Sequence, residues 1–139
     1  MAFCYLPHTA DLKARVEGAT LDELYASAVD LLRDAVVGDS PVEPREAIDV
    51  ELPTGDREER FFHFVRELVF HFDARGFIPA SAEPGTDDTG AGPARVGVRG
   101  ERFDASRHHC ERQIKALTRH GFSLESGPDG WRVDLLFDL

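Results

Sequence analysis

The stretch Leu12-Lys13-Ala14-Arg15-Val16-Glu17-Gly18-Ala19-Thr20-Leu21-Asp22-Glu23-Leu24-Tyr25 carries both of the periods from which the fold is built. Leu12, Ala14 and Val16 alternate with Lys13, Arg15 and Glu17, the period of two that marks a half-buried strand. Gly18 closes that strand. Thr20-Leu21-Asp22-Glu23 then has the form of a capping box, in which the Thr20 hydroxyl accepts a hydrogen bond from a first-turn N–H and Glu23 reaches back. Behind it Leu21, Leu24, Tyr25, Ala28, Leu31, Leu32 and Ala35 recur at helical spacing, so an amphipathic helix follows and stops near Gly38.

The same two patterns recur on either side. Upstream, Phe3 to Leu6 reads as a short strand leading into the turn Pro7-His8-Thr9-Ala10-Asp11. Downstream, Ser40 to Pro44 is a loop, and Ile48, Val50 and Leu52 alternate with Asp49 and Glu51 as a strand. Asp56 with Glu59 repeats the capping logic. Phe61, Phe62, Val65, Leu68, Val69 and Phe72 form the stripe of a second helix that ends before Gly76. Phe77 to Glu83 is extended. Pro84 to Pro93, with three glycines, two prolines and two aspartates, is a flexible loop; too few residues follow it to make a second core. Val96 and Val98 belong to another strand. Ile114 to Leu124 and Trp131 to Phe137 read as two strands joined by the turn-formers Ser126 to Gly130. Two helices and six or seven strands predict one α+β domain over residues 1–139, its sheet mostly antiparallel and covered on one face by both helices.

The 139 residues are 42% hydrophobic, enough for one core. Twenty-six acidic side chains face sixteen basic ones, a formal charge of −10. A free-standing nucleic-acid binder carries a basic face, so any link to RNA is expected to be indirect, through a basic partner or through metal ions. No apolar run is long enough to cross a membrane, and the first residues lack the basic and apolar segments of a signal peptide; the expected compartment is the cytoplasm. There Cys4 and Cys110 are expected to be free thiols.

Several residues have the chemistry of a cation site. His8 and Asp11 flank a strand–turn boundary, Asp39 follows the first helix, and Asp138 ends the apolar run Leu135-Leu136-Phe137. Carboxylates are hard oxygen ligands suited to calcium or magnesium, and imidazole suits softer divalent ions. Asp11, Asp39 and Asp138 would repel one another if they converged, and a cation would relieve that repulsion. Each is equally a turn or chain-end residue, and spacing alone leaves both readings open. Lys115, one of only two lysines, is a candidate contact for an acid or a phosphate. In His108-His109-Cys110 neighbouring side chains on a strand point to opposite faces, so a zinc site is the lesser expectation. His63 and His71 lie on the second helix as surface histidines. There is no glycine-rich phosphate loop and no nucleophile elbow.

Taken together, His8-Thr9-Ala10-Asp11, Thr20-Leu21-Asp22-Glu23-Leu24, Val42-Glu43-Pro44, Phe61-Phe62-His63-Phe64, Phe77-Ile78-Pro79, Ile114-Lys115-Ala116-Leu117-Thr118 and Phe137-Asp138-Leu139 resemble the archease family in order and spacing along almost the whole chain. The resemblance implies a metal-binding accessory protein, not an enzyme. It would activate an RtcB-type RNA ligase, promoting guanylylation and multiple turnover in tRNA splicing and RNA repair. It implies metal ligation by Asp11, Asp39 and Asp138, a supporting or partner-facing role for His8 and Lys115, and a divalent cofactor, calcium first and manganese or magnesium next. Two departures stand out: Gln113 replaces the usual acid before Ile-Lys-Ala, and His109-Cys110-Glu111-Arg112 replaces the usual approach to it. The alternatives are a metal-free chaperone or interaction module for RNA-modifying enzymes, and a small metallohydrolase built on Asp11, His8 and Asp138. The ion, the RNA substrates and the oligomeric state are not fixed by sequence.

Overall fold

A computed structural model describes residues 2–6, 11–85 and 92–139. Elements follow the chain as β1 (Ala2–Leu6), β2 (Leu12–Gly18), α1 (Leu21–Val37), β3 (Glu46–Glu51), α2 (Arg57–Arg75), β4 (Phe77–Pro84), β5 (Arg95–Arg102), β6 (Ala116–Thr118), β7 (Leu124–Gly127) and β8 (Gly130–Asp138). The expected α+β class holds, with every strand pairing antiparallel.

The strands divide between two sheets where the sequence reading has one. The larger runs β1-β2-β8-β6 with β7 also on β8; the smaller runs β3-β5-β4. α1 touches β1, β2 and β8 of the first sheet and β4 of the second, whereas α2 packs on β4 and β6. This explains why α1 is buried over a wide arc, from Leu24 and Tyr25 through Ser27, Ala28 and Val29 to Val37. A helix between two sheets needs apolar residues on more than one stripe. Arg33 of α1 ties the second sheet down by donating to the carbonyl of Ala80, the residue passed over by the irregularity between Pro79 and Ser81.

Both caps form as expected. Glu23 N–H donates to Thr20 Oγ1 at 3.1 Å, and Glu23 Oε2 accepts from Ala19 N–H at 2.8 Å, one residue earlier than in the standard box. Asp56 caps α2 through Glu59 N–H, and Gly76 ends it in the left-handed region at φ 69°.

One strand assignment is corrected. Ile114 to Leu124 is not a single strand: β6 and β7 lie on either side of a turn whose Phe122 N–H donates to Arg119 carbonyl, and Ile114 and Lys115 precede β6. The apolar residues Ile114, Leu117, Phe122 and Leu124 still pack on the core, so their pattern is real although the backbone turns between them. Of the Pro84–Pro93 loop, residues 86–91 lie outside the described residues.

At the β2–α1 corner the backbone is drawn tight. A Cβ at Gly18 would lie 2.5 Å from Leu24 N, and one at Gly130, at φ 115°, would lie 2.4 Å from Gly18 O. Ser27 Oγ donates to Glu17 carbonyl at 2.8 Å. The start of β8, the end of β2 and the first turns of α1 are thereby locked together.

Candidate metal centre at a strand end

β2 and β8 pair from Gly18↔Trp131 to Leu12↔Phe137. Carried one residue further, the same register would face Asp138 with Asp11, a bend residue just ahead of β2. Leu12 and Phe137 face the core, so the alternation of side chains along β8 turns Asp138 to the outer face. On that face Lys13↔Leu136 and Arg15↔Asp134 are the next pairs. Two acids far apart in sequence therefore come to the same end of the β2–β8 ladder. Like charges directly opposite one another destabilise a strand pair.

On its other side Asp138 pairs with Ala116, and Lys115 N–H donates to Asp138 carbonyl at 2.9 Å. That bond fixes the Lys115 backbone beside the acid pair, with its side chain exposed and Ile114 buried. Among the described residues the Asp138 carboxylate makes no hydrogen bond or ion pair. His8 lies outside the described residues.

Asp39 reaches the same end of the molecule by another route. α1 runs back along β2, and near its C-terminal end Asp34 accepts from Tyr5 Oη at 2.5 Å. Burial, and after it that bond, raise the Tyr5 hydroxyl pKa above its ordinary range. Asp39 then follows the cap at Gly38, and its loop is held by residues 109–111: Glu111 N–H donates to Val36 carbonyl and His109 N–H to Ser40 Oγ, each near 2.9 Å. The expected three-acid cluster is not assembled. Among the described residues no three His, Cys, Asp or Glu side chains form a group able to hold a metal ion. Asp11 and Asp138 lie at one end of the β2–β8 ladder; Asp39 belongs to a loop that packs on a different segment.

The His108-His109-Cys110 tract is likewise no ligand set. His108 is buried. Its Nδ1 accepts from Asp104 N–H at 2.9 Å, so its Nε2 carries the hydrogen and donates to Pro41 carbonyl at 3.0 Å. His109 is exposed, and both cysteines are free. On α2, His63 and His71 are half-buried and pair with Arg66 and Arg75; burial and the adjacent Arg75 lower the His71 pKa.

Sequence reasoning missed the group around His108. Glu101 at the end of β5 is only 4% exposed. Arg107 holds its carboxylate with both terminal nitrogens, Glu43 N–H donates to it, and His108 Nε2 lies 3.5 Å away. The Arg107 hydrogen bonds, opposed by burial, bring the Glu101 pKa down to about 2. This knot joins β5, the Asp39–Arg45 loop and the Asp104–His109 turn. In the alternation of β5, Val96, Val98 and Gly100 point inward, and Glu101 reads as an outward residue. It is covered by two loops distant in sequence, which no local pattern signals.

The chain matches the family described as Archease protein family (MTH1598/TM1083) over residues 3–139. It is 31% identical over 134 residues to the protein archease of Pyrococcus abyssi (strain GE5 / Orsay), covering 95% of this chain and 94% of that one. To the protein archease of Thermococcus gammatolerans (strain DSM 15229 / JCM 11827 / EJ3) it is 32% identical with the same coverage. Among solved structures, Methanobacterium thermoautotrophicum protein 1598 superposes with a TM-score of 0.81 at 22% identity, covering 99% of this chain and 98% of that chain. The crystal structure of an archease, possible chaperone (TM1083), from Thermotoga maritima gives 0.65 at 20% identity, covering 96% and 94%. At these identities the two structures bear on the fold alone.

Proposed function

The chain belongs to the archease protein family, and from that premise we propose that it is a metal-binding accessory protein, not an enzyme, that activates an RtcB-type RNA ligase. The observation that supports this reading is the β2–β8 register, which brings Asp11 and Asp138 to the same end of one strand ladder. The donor set fits a hard divalent cation: carboxylate oxygens on an exposed strand end, one of them without a protein partner among the described residues. Asp11 and Asp138 would hold the ion, calcium first and manganese or magnesium next, with His8 in a supporting role. The bound ion would supply positive charge at an acidic edge, able to meet a nucleotide phosphate or a ligase carboxylate.

The chain's own residues do the rest. The net charge of −10 suits docking against a basic cleft and disfavours direct RNA contact. The exposed Lys115, fixed through its backbone to Asp138, is a candidate partner contact. No helix among the described residues is long and apolar enough to cross a membrane, and a cytoplasmic location belongs to the same proposal.

The test is turnover of the cognate ligase with GTP, metal and cleaved RNA. Asp11→Ala and Asp138→Ala are each expected to lower the number of turnovers per ligase by tenfold or more while leaving the accessory protein folded. Full activity of both variants would sink the reading. A metal-free chaperone is the second reading, favoured by the description of the Thermotoga maritima relative as a possible chaperone. It predicts partner binding that a chelator leaves unchanged.

A further inference from the structure

We propose that a cleft between the end of α2 and residues 103–115 binds a small zwitterion with an apolar body, the chemistry of a free apolar amino acid. The cleft encloses about 370 Å³, within the range of small-molecule sites. Phe72, Phe103 and Ile114 supply its apolar surface, and Cys110 lines it as well.

The wall is formed in advance. Phe103 stays 37% exposed, yet it is held: its N–H donates to Gly76 carbonyl at 2.8 Å, and its ring lies 5.7 Å from that of His108. His108 is in turn fixed by Asp104 and Pro41. A ligand therefore does not have to order this side chain, which lowers the entropic cost of binding.

The charges select the ligand. Asp73 and Lys115 both line the cleft. Neither makes an ion pair among the described residues, with each other or with any other group. A ligand carrying only a carboxylate would meet Lys115 and leave Asp73 facing an anion; one carrying only an ammonium group would leave Lys115 facing a cation. A zwitterion matches both, with its ammonium on Asp73, its carboxylate on Lys115 and its side chain on the three apolar residues. The site is separate from the Asp11–Asp138 pair, although Lys115 adjoins both.

Cys110 reports occupancy, and Cys4, exposed on β1, serves as the internal control. Each thiol is alkylated with iodoacetamide and its rate followed by peptide mass. The probes are phenylalanine, 3-phenylpropionate, which lacks the ammonium, and phenylalaninamide, which lacks the carboxylate. Phenylalanine is expected to slow labelling of Cys110 and not of Cys4, with half-protection near 1–5 mM, as suits a ligand of about a dozen heavy atoms. Each single-charge analogue should bind about tenfold more weakly. Lys115→Gln should reduce phenylalanine to the level of its amide, and Asp73→Asn to the level of 3-phenylpropionate. Both positions are exposed, so the variants should fold. Labelling of Cys110 that is unchanged at saturating phenylalanine, or protection equally strong with either analogue, would overturn the proposal.

Discussion

Asp134 and Asp138 sit on the same outer face of the same strand, four residues apart, and have opposite environments. Asp134 stands across from Arg15, which holds both its oxygens at 2.8 and 3.1 Å. Asp138 stands where the register brings up Asp11. The backbone supplies the same spacing twice; only the residue on β2 differs. At the first position the two side chains satisfy each other. At the second, two acids share one strand end, and the Asp138 carboxylate has no partner among the described residues. Glu101 extends the contrast inward, since a buried carboxylate is tolerated there because Arg107 meets it in a two-pronged contact and Glu43 N–H donates to it.

The largest effect is expected at the buried position. Glu101→Gln leaves Arg107 with only the Glu43 carboxylate, 3.8 Å away, and should cost about 3 kcal/mol at neutral pH, measured by urea unfolding. The Glu101 pKa falls in the folded state from 4.5 to about 2, so its stabilisation is complete above about 4.5 and disappears as pH falls towards 2. The gap between wild type and variant should narrow over that interval; a constant gap would mean that packing, not charge, is at stake. Next comes the cation. Free calcium at about 100 times its dissociation constant should raise wild-type stability by about 2.7 kcal/mol, and a chelator should reverse this. Asp11→Asn and Asp138→Asn should each lose most of the gain, and an equal gain in both variants would move the ion elsewhere.

The remaining two effects are small and opposite in sign. Asp134→Asn should cost about 0.5 kcal/mol, as expected for a half-exposed pair. The hydrogen bond from Arg15 lowers the Asp134 pKa below 3.8, so this cost should vanish as pH drops beneath that value. Asp138→Asn in metal-free solution should instead stabilise by about 0.3 kcal/mol by removing like-charge repulsion. A loss of stability there would show that Asp138 is already compensated by the protein.

Local patterns carried the elements. The capping residues Thr20 and Asp56, the glycines Gly38 and Gly76 and the alternation of Leu12 to Val16 each act within one or two turns of chain, so they could be read directly. The division into two sheets could not, because it depends on which strand finds which. α1 shows the ambiguity: its extra apolar positions, Val29 and Val36 among them, mean contact on two sides, and a single helical stripe was read from it. The break between β6 and β7 was hidden because the apolar residues on either side of the turn at Arg119 to Phe122 all reach the same core. As for the candidate site, Asp11 and Asp138 are legible as residue types, and the β2–β8 register brings them to one end of the ladder. Asp39 has the same chemistry, but its loop is held by His109 and Glu111, about seventy residues further along the chain.

The tight corner of Gly18 and Gly130 has a consequence at the far end of the ladder, about 20 Å away over the seven residues of β2. Strands can slide, and a shift of one residue turns every side chain of β8 to the other face. With no room for a Cβ at either glycine, the two strands are clamped at their distant ends, and the spacing of the two acids is set there like a gauge zeroed at its base. Alanine at Gly130 would put a methyl group into the backbone of Gly18, and the error would surface as a misaligned Asp138, in a part of the molecule the substitution never touches.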